Sequence, residues 1–393
     1  MVKISERPQL SHIAAGITAV VVGYSSAVVI VIEAAKAAGA TPDMIISWLL
    51  MLGLGMGVTC IVYSRLYKIP VVTAWSTPGA AFLIGAVDGY SINEIIGSFV
   101  TAAILALVAA QNKTLTRYLS KTPPAISSAL LAGILLPICL NIFVDGESYP
   151  YLVAGFLTVY FIGSLFFTRY LMLVLLALAM VFSILMQPDT HSFTDISLPE
   201  AVWVTPHFTL SATVSLAIPL FIITLLSQNL PGIAIAKSHD YEPGVRNVLS
   251  GVSVVNIVTA PFGGFAFNFA AITAALCMGE SAGEDRALRY WAAIMAGVGY
   301  IFMGLAAPVV VMFFSHMPAV IVHLLAGLAL LATLQASLLK SMENHKHRKA
   351  ALVTLLCTAS GVTVAQLGAP VWGLVLGLAV VALDNVVARK QSL

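Results

Sequence analysis

Apolar runs of about twenty residues follow one another along almost the whole chain, separated by short segments that hold nearly all of its charge. A run of that length has one stable use: it crosses a bilayer as a helix, where every backbone group is bonded internally. Composition agrees, with 60% hydrophobic residues, 9% charged residues and a mean hydropathy of +0.98 over 393 residues. No soluble globular domain has these values, so the chain reads as an all-α polytopic membrane protein.

The runs divide into fourteen expected spans. Spans 1 to 7 cover about His12–Ala35, Met44–Tyr63, Pro70–Val87, Ile92–Ala110, Pro123–Val144, Tyr151–Phe167 and Tyr170–Met186. A polar, proline-containing stretch from Gln187 to Leu210 follows. Spans 8 to 14 cover about Ser211–Ala236, Asn247–Ala260, Pro261–Met278, Ala287–Phe313, Pro318–Leu339, Ala351–Leu367 and Val371–Val387. Seven spans in each half give the halves opposite orientations, a 7+7 inverted repeat. Loop charge supports the count. With the N-terminus inside, Arg65, Lys68, Lys113, Arg117, Lys121 and Arg246 are inner and Asp43, Asp88, Asp145, Asp189 and Asp195 are outer. Of the 19 Lys and Arg, only Lys36 falls outside, as the positive-inside rule requires. Both termini are expected in the cytoplasm. The segment MVKISERPQL shows no cleavable signal pattern, so the first run is expected to remain a helix. Only 33 residues separate Arg246 from Glu280, where two straight crossings need about 40. A shortened span 9 and an extended segment in span 10 are therefore expected.

Two spans are poor helices. In Pro70–Leu83 (PVVTAWSTPGAAFL), Val71, Val72 and Thr73 favour extended backbone, and Ser76, Thr77 and Pro78 form a helix-start signal. An extended segment ending near Ser76, with a short helix from Pro78, is one reading; a proline-kinked helix is the other. Val72-Thr73-Ala74 recurs as Val258-Thr259-Ala260, 186 residues later, before Pro261 and Gly263-Gly264. Matched interruptions in two halves point to a repeat and to a binding site between them. If Thr77 and Gly264 each precede a half-helix aimed at the membrane centre, two positive dipole ends converge there. They would bind an anion without Lys or Arg.

No charged side chain is expected at mid-membrane. The polar groups available there are neutral: Tyr24, Ser25 and Ser26 in span 1, Ser76 and Thr77 in span 3, Gln228 and Asn229 in span 8, and Asn268 among Phe265, Phe267 and Phe269 in span 10. Gln228-Asn229 reads either as polar glue between helices or as part of a site. The phenylalanines read as packing or as a wall for an aromatic ring. Glu33 and Lys36 suit an interfacial ion pair; Glu33 is otherwise a protonatable group at the outer mouth. A small organic carboxylate with an apolar body fits such a centre better than phosphate or sulfate. His191 lies in the long outer stretch, His316 and His323 flank the start of span 12, and the NHKHR tract (Asn344–Arg348) reads as a solvated loop. Cys60, Cys139, Cys277 and Cys357 lie in apolar runs without metal-site spacing and read as packing residues. Phosphate-loop and nucleophile–base patterns are absent from the sequence, so no cofactor, nucleic-acid partner or enzymatic activity is expected.

With GITAVVVGYSSAVVIV (Gly16–Val31), AWSTPGAAFL (Ala74–Leu83), SQNLPGIAI (Ser227–Ile235) and PFGGFAFNFAAITAAL (Pro261–Leu276), the chain resembles the BenE family of bacterial benzoate/proton symporters over essentially its whole length. More distantly it is similar to nucleobase–ascorbate and sulfate permease-type transporters. The resemblance implies secondary active import of benzoate with protons across the bacterial inner membrane. It implies a core domain from residues 1–122 and 211–316, a gate domain from 123–210 and 317–393, alternating access and a possible homodimer. Ser76, Thr77, Gln228, Asn229, Phe265 and Asn268 would hold the anion, with Tyr24 and Ser25 lining the pocket. Glu33 and His12 are the side-chain candidates for proton coupling; the substrate's own protonation is the alternative. Nucleobase transporters are similar in carrying acidic residues in spans 8 and 10. Here Gln228, Asn229, Phe265 and Asn268 stand in those neighbourhoods, which fits an anionic ligand. A carrier of a nucleobase or aliphatic carboxylate, or an anion channel, is the alternative function.

Overall fold

The computed structural model describes residues 7–112, 123–186, 198–365 and 367–391; Lys113, Arg117, Lys121, Asp189, His191 and Asp195 lie outside the described residues. The first half comprises α1 (Leu10–Ala37), α2 (Pro42–Tyr67), the short strand β1 (Thr73–Trp75), α3 (Thr77–Ala86), α4 (Ile92–Gln111), α5 (Pro124–Val144), α6 (Pro150–Phe166) and α7 (Leu171–Met186). The second comprises α8 (Leu210–Ser238), α9 (Val245–Thr259), β2 (Phe267–Phe269), α10 (Ile272–Met278), α11 (Tyr290–Leu305), α12 (Ala307–Ser315), α13 (Ala319–Glu343), α14 (Arg348–Ala359) and α15 (Ala369–Gln391). Among the described residues, ten helices are long and apolar enough to cross a membrane, while α3 and α6 are shorter apolar helices.

Local chemistry sets the helix ends. Thr41 accepts the Met44 amide ahead of Pro42 at the start of α2. Ser91 and Glu94 cap α4 reciprocally, satisfying two amides that the first turn leaves unbonded. Three departures from the expected spans have equally local causes. Span 11 breaks at Ala306, because Pro308 has no amide proton and its ring clashes with the preceding turn. Span 13 ends at Ala359 rather than Leu367, where Gly361 adopts a φ of 65° and turns the chain. Span 8 is not a uniform α-helix: Thr213–Ala217 and Leu225–Asn229 are π-helical turns.

The helices pack in two sets. In one, α11 lies along α2 and α1, and α4 lies along α9. Glycine makes that closeness possible: a Cβ on Gly53 would lie 2.6 Å from Tyr300 O, and one on Gly57 would lie 2.6 Å from Gly297 O. Small residues at such a crossing let backbones touch, which is how membrane helices associate when burial from water offers no drive. In the other set α5 lies along α13 and α14, and α14 along α15. Large apolar side chains such as Leu165, Phe166 and Phe302 remain exposed, as a surface solvated by lipid requires.

Candidate substrate-binding site

The two interruptions meet. β1 and β2 pair antiparallel, with Thr73 opposite Phe269, Ala74 opposite Asn268 and Trp75 opposite Phe267. The Ala270 amide extends the pairing to Val72 O at 3.0 Å. Extended backbone inside a membrane survives only if its polar groups find partners in the protein, and α2 supplies those of the other edge. Ser64 Oγ accepts the Val71 amide and donates to Val71 O, both at 3.0 Å. Cys60 Sγ accepts the Thr73 amide at 3.2 Å, and the hydroxyls of Thr59 and Thr73 meet at 2.6 Å. The sequence reading had Cys60 as a packing residue and left out Thr59 and Ser64. Cys60 and Ser64 are four residues, about one helical turn, apart on α2 with Thr59 beside them, and that spacing is the signal that could have found them.

Ser76 ends the strand and caps α3: its Oγ accepts the Gly79 amide at 3.0 Å and its carbonyl accepts the Ala80 amide at 2.8 Å. Pro78 has no amide proton, which leaves Thr77 N as the amide of that end that Ser76 does not hold. The helix starts at Thr77, one residue before the expected Pro78. The second interruption differs from expectation in two respects. Val258 and Thr259 belong to α9 and Ala260 to a tight turn, so the repeated Val-Thr-Ala does not mark the second strand. Gly264 does not precede a half-helix: Gly263 reverses the chain at a φ of 92°, β2 follows, and α10 starts only at Ile272. The tripeptide match fails because Pro261 and Gly263 insert a turn that the first half lacks.

The polar residues converge from four elements. Asn229, at the end of the second π-turn of α8, accepts the Phe269 amide on its Oδ1 at 2.9 Å and so holds β2 from its outer edge. Asn268 is fully buried; its Nδ2 donates to Ala266 O at 3.2 Å, and its Oδ1 has no hydrogen-bond partner among the described residues. Ala266 sits at a φ of 47°, a left-handed conformation unusual for a residue with a Cβ. The Tyr24 ring packs on Trp75 with centroids 5.2 Å apart, and its buried hydroxyl also lacks a partner among the described residues. Gln228 and Thr77 are half-buried, and the Gln228 amide makes no hydrogen bond among the described residues. Unpaired polar groups in a membrane interior are costly, and two of them, Asn268 Oδ1 and the Tyr24 hydroxyl, lie in or against this strand pair.

Not every expected residue joins this group. Phe265 packs with Trp48 and Phe99, at centroid distances of 5.8 and 5.3 Å, inside an aromatic core. Tyr24 and Ser25 open onto a cavity of about 460 Å³ between α1, α7 and α12 that is otherwise lined almost entirely by apolar side chains, with Ser183 and His316 at its edge. Glu33 pairs with Lys36 at 2.9 Å. His12 is buried at the other end of α1, where its Nδ1 accepts the Gln9 amide at 2.9 Å. Two further groups escaped the sequence reading. Arg289, almost fully buried, donates to Met278 O at 2.8 Å and Gly283 O at 2.7 Å, capping the end of α10. His323 meets Asp145 at 2.9 Å, joining α13 to α5.

A family described as benzoate membrane transport protein, BenE, matches residues 6–383. The chain is 35% identical over 379 residues to the inner membrane protein YdcO of Escherichia coli (strain K12), covering 96% of each. It is 34% identical over 369 residues to a benzoate membrane transport protein of Acinetobacter baylyi, covering 94% of each. Among solved structures it is similar to the transmembrane domain of a cyanobacterial bicarbonate transporter, BicA, at a TM-score of 0.55 and 16% identity, over 95% of this chain and 96% of that one. It is also similar to the murine anion transporter Slc26a9 in its inward-facing state, at 0.61 and 12%, over 99% of this chain and 69% of that one. At these identities the structural likeness shows the fold alone. The family match and the two relatives show more: the chain is a membrane transport protein and belongs to the BenE family.

Proposed function

We propose that this protein is a secondary active transporter that imports benzoate, or a similar small aromatic carboxylate, together with protons across a bacterial inner membrane. The observation that carries this reading is the antiparallel meeting of two interrupted membrane segments, with neutral polar groups left unpaired beside them. Thr77 N, the Gln228 amide and the Tyr24 hydroxyl can donate to a carboxylate. Neither Asp nor Glu stands in the interrupted segments to repel it. Trp75, Tyr24 and the aliphatic wall near Ser25 suit an apolar ring. Ser76 and Asn229 hold the backbone that frames the site, Asn268 is the middle residue of β2, and Phe265 braces the fold behind them.

The topology we assign is fourteen segments in a 7+7 inverted repeat with both termini cytoplasmic. Residues 1–122 and 211–316 form a core that carries the substrate. Residues 123–210 and 317–393 form a gate, and a homodimer would join through the gates. The two helix sets described above support this division. Alternating access moves the core against the gate. Glu33 is already neutralised by Lys36 and His12 lies at the opposite end of α1. Protonation of the substrate's own carboxyl therefore fits the coupling better than either side chain.

Uptake of radiolabelled benzoate into proteoliposomes, with and without an imposed inward proton gradient, tests the reading. Gradient-driven accumulation that collapses with a protonophore is the expected result. Equilibration without accumulation would indicate a channel, and competition by nucleobases or aliphatic acids but not benzoate would indicate another substrate.

A further inference from the structure

Behind β2, away from the large cavity, lies a second cavity of about 30 Å³ between α4, α8 and α9. Its walls include Ala102 and Ala106 of α4, Thr224 and Asn229 of α8, Asn256 of α9 and the left-handed Ala266. Two of these groups are unusual. Thr224 is only 7% exposed and Asn256 5%, and among the described residues neither Thr224 Oγ1 nor Asn256 Oδ1 has a hydrogen-bond partner. Hydroxyls inside a helix ordinarily donate to the carbonyl four residues back. Thr213, Ser227, Ser253 and Thr259 all do so on these same two helices. Thr224 does not. It stands immediately before the π-turn Leu225–Asn229. Its hydroxyl and the Asn256 side-chain oxygen thus share one small space, with Asn229 and Ser253 the other polar residues on otherwise apolar walls.

We propose that this cavity is a built water site. The water accepts a hydrogen bond from Thr224 Oγ1 and donates one to Asn256 Oδ1, with the Asn229 amide beside it. The volume suffices, since one water needs roughly 10–15 Å³, and two to four polar partners are the usual complement. The bridge ties α9 to the π-turn that carries Gln228 and Asn229, so Thr224 and Asn256 are positioning residues for the substrate site. This second claim rests on the site reading given above; the water bridge does not. Dry, the same cavity would leave two buried polar atoms unsatisfied on facing helices, which is destabilising.

A double-mutant cycle on the full chain in lipid nanodiscs decides between wet and dry. If water bridges the two groups, Thr224→Val and Asn256→Leu each lower the apparent melting temperature, and the double variant loses less than the sum. If the cavity is dry, each single change removes an unsatisfied group, the melting temperature rises or holds, and the effects add; that result overturns the bridge. Should Asn256→Leu not fold, the sign of the Thr224→Val shift alone decides. A melting temperature that falls when N-methylglucamine replaces sodium would make the occupant a cation and overturn the water. The positioning claim is read by benzoate titration: Thr224→Val weakens binding about tenfold and Thr224→Ser restores it. Unchanged affinity in Thr224→Val overturns positioning. If the wild type binds no benzoate, the substrate assignment fails while the melting cycle still settles the bridge.

Discussion

Gln228 and Asn229 are neighbours in sequence with different surroundings, and the proposed site gives them different roles that substitution should separate. Asn229 Oδ1 holds the Phe269 amide at 2.9 Å in a buried setting. Asn229→Ala leaves that amide unpaired, at a cost of about 1–3 kcal/mol. A lowered melting temperature together with weakened benzoate uptake is expected. Gln228 is half-buried and its amide has no partner to lose. Gln228→Ala is expected to leave the melting temperature unchanged and raise the transport KM about tenfold, the loss of one hydrogen bond to a charged ligand at ~1.5 kcal/mol. Uptake kinetics and thermal melts on the same two preparations check both statements. Unchanged uptake by Gln228→Ala would remove Gln228 from the site.

The elements that matter most are short: two three-residue strands, one π-turn and one ten-residue helix. The π-turn sets the facing of Asn229. Inserting one alanine after Leu225 should rotate the residues that follow by about one residue, near 100° at 3.6 residues per turn, and turn Asn229 away from β2. Folded protein with uptake abolished is the expected outcome, measured by size-exclusion profile and proteoliposome flux. The first interruption was legible in the sequence because Val71, Val72 and Thr73 favour extension and Ser76-Thr77-Pro78 starts a helix; helix and strand fall within one residue of expectation. The second was located but misread. Its strand is Phe267–Phe269, which aromatic residues suit well, but the eye follows Val258-Thr259-Ala260 and Gly263-Gly264. The π-turns carry no local signature, because residues 213–217 and 225–229 are as apolar as their neighbours. The capping of β1 by Ser64, Cys60 and Thr59, only 7 to 14 residues upstream, was hidden because small polar side chains in an apolar helix bond as readily to their own helix. Phe265 was drawn into the expected site by proximity to Asn268. Only tertiary packing assigns it to the cluster with Trp48 and Phe99.

At the scale of the molecule, the proposal requires one set of helices to move while the other stays. The cavity between α1, α7 and α12 lies where the two proposed sets adjoin, with Val21 on one side and Leu176 on the other. By contrast, His323 and Asp145 touch at 2.9 Å within one set, α13 against α5. Cross-links at these two places should therefore have unequal effects. Cys60, Cys139 and Cys277 are buried and can stay, since a thiol desolvated in apolar surroundings reacts slowly. Cys357, which is partly exposed, is replaced by Ala. On that background, paired cysteines at Val21 and Leu176 joined by a short bifunctional maleimide are expected to abolish uptake, with each single-cysteine variant retaining it. Paired cysteines at Asp145 and His323 are expected to leave uptake near the level of their single variants, because the joined helices belong to one body and do not move apart. Equal retention of flux at both pairs would mean that α1 and α7 do not separate during transport. The division into a moving core and a fixed gate would then have to be redrawn, whatever the substrate proves to be.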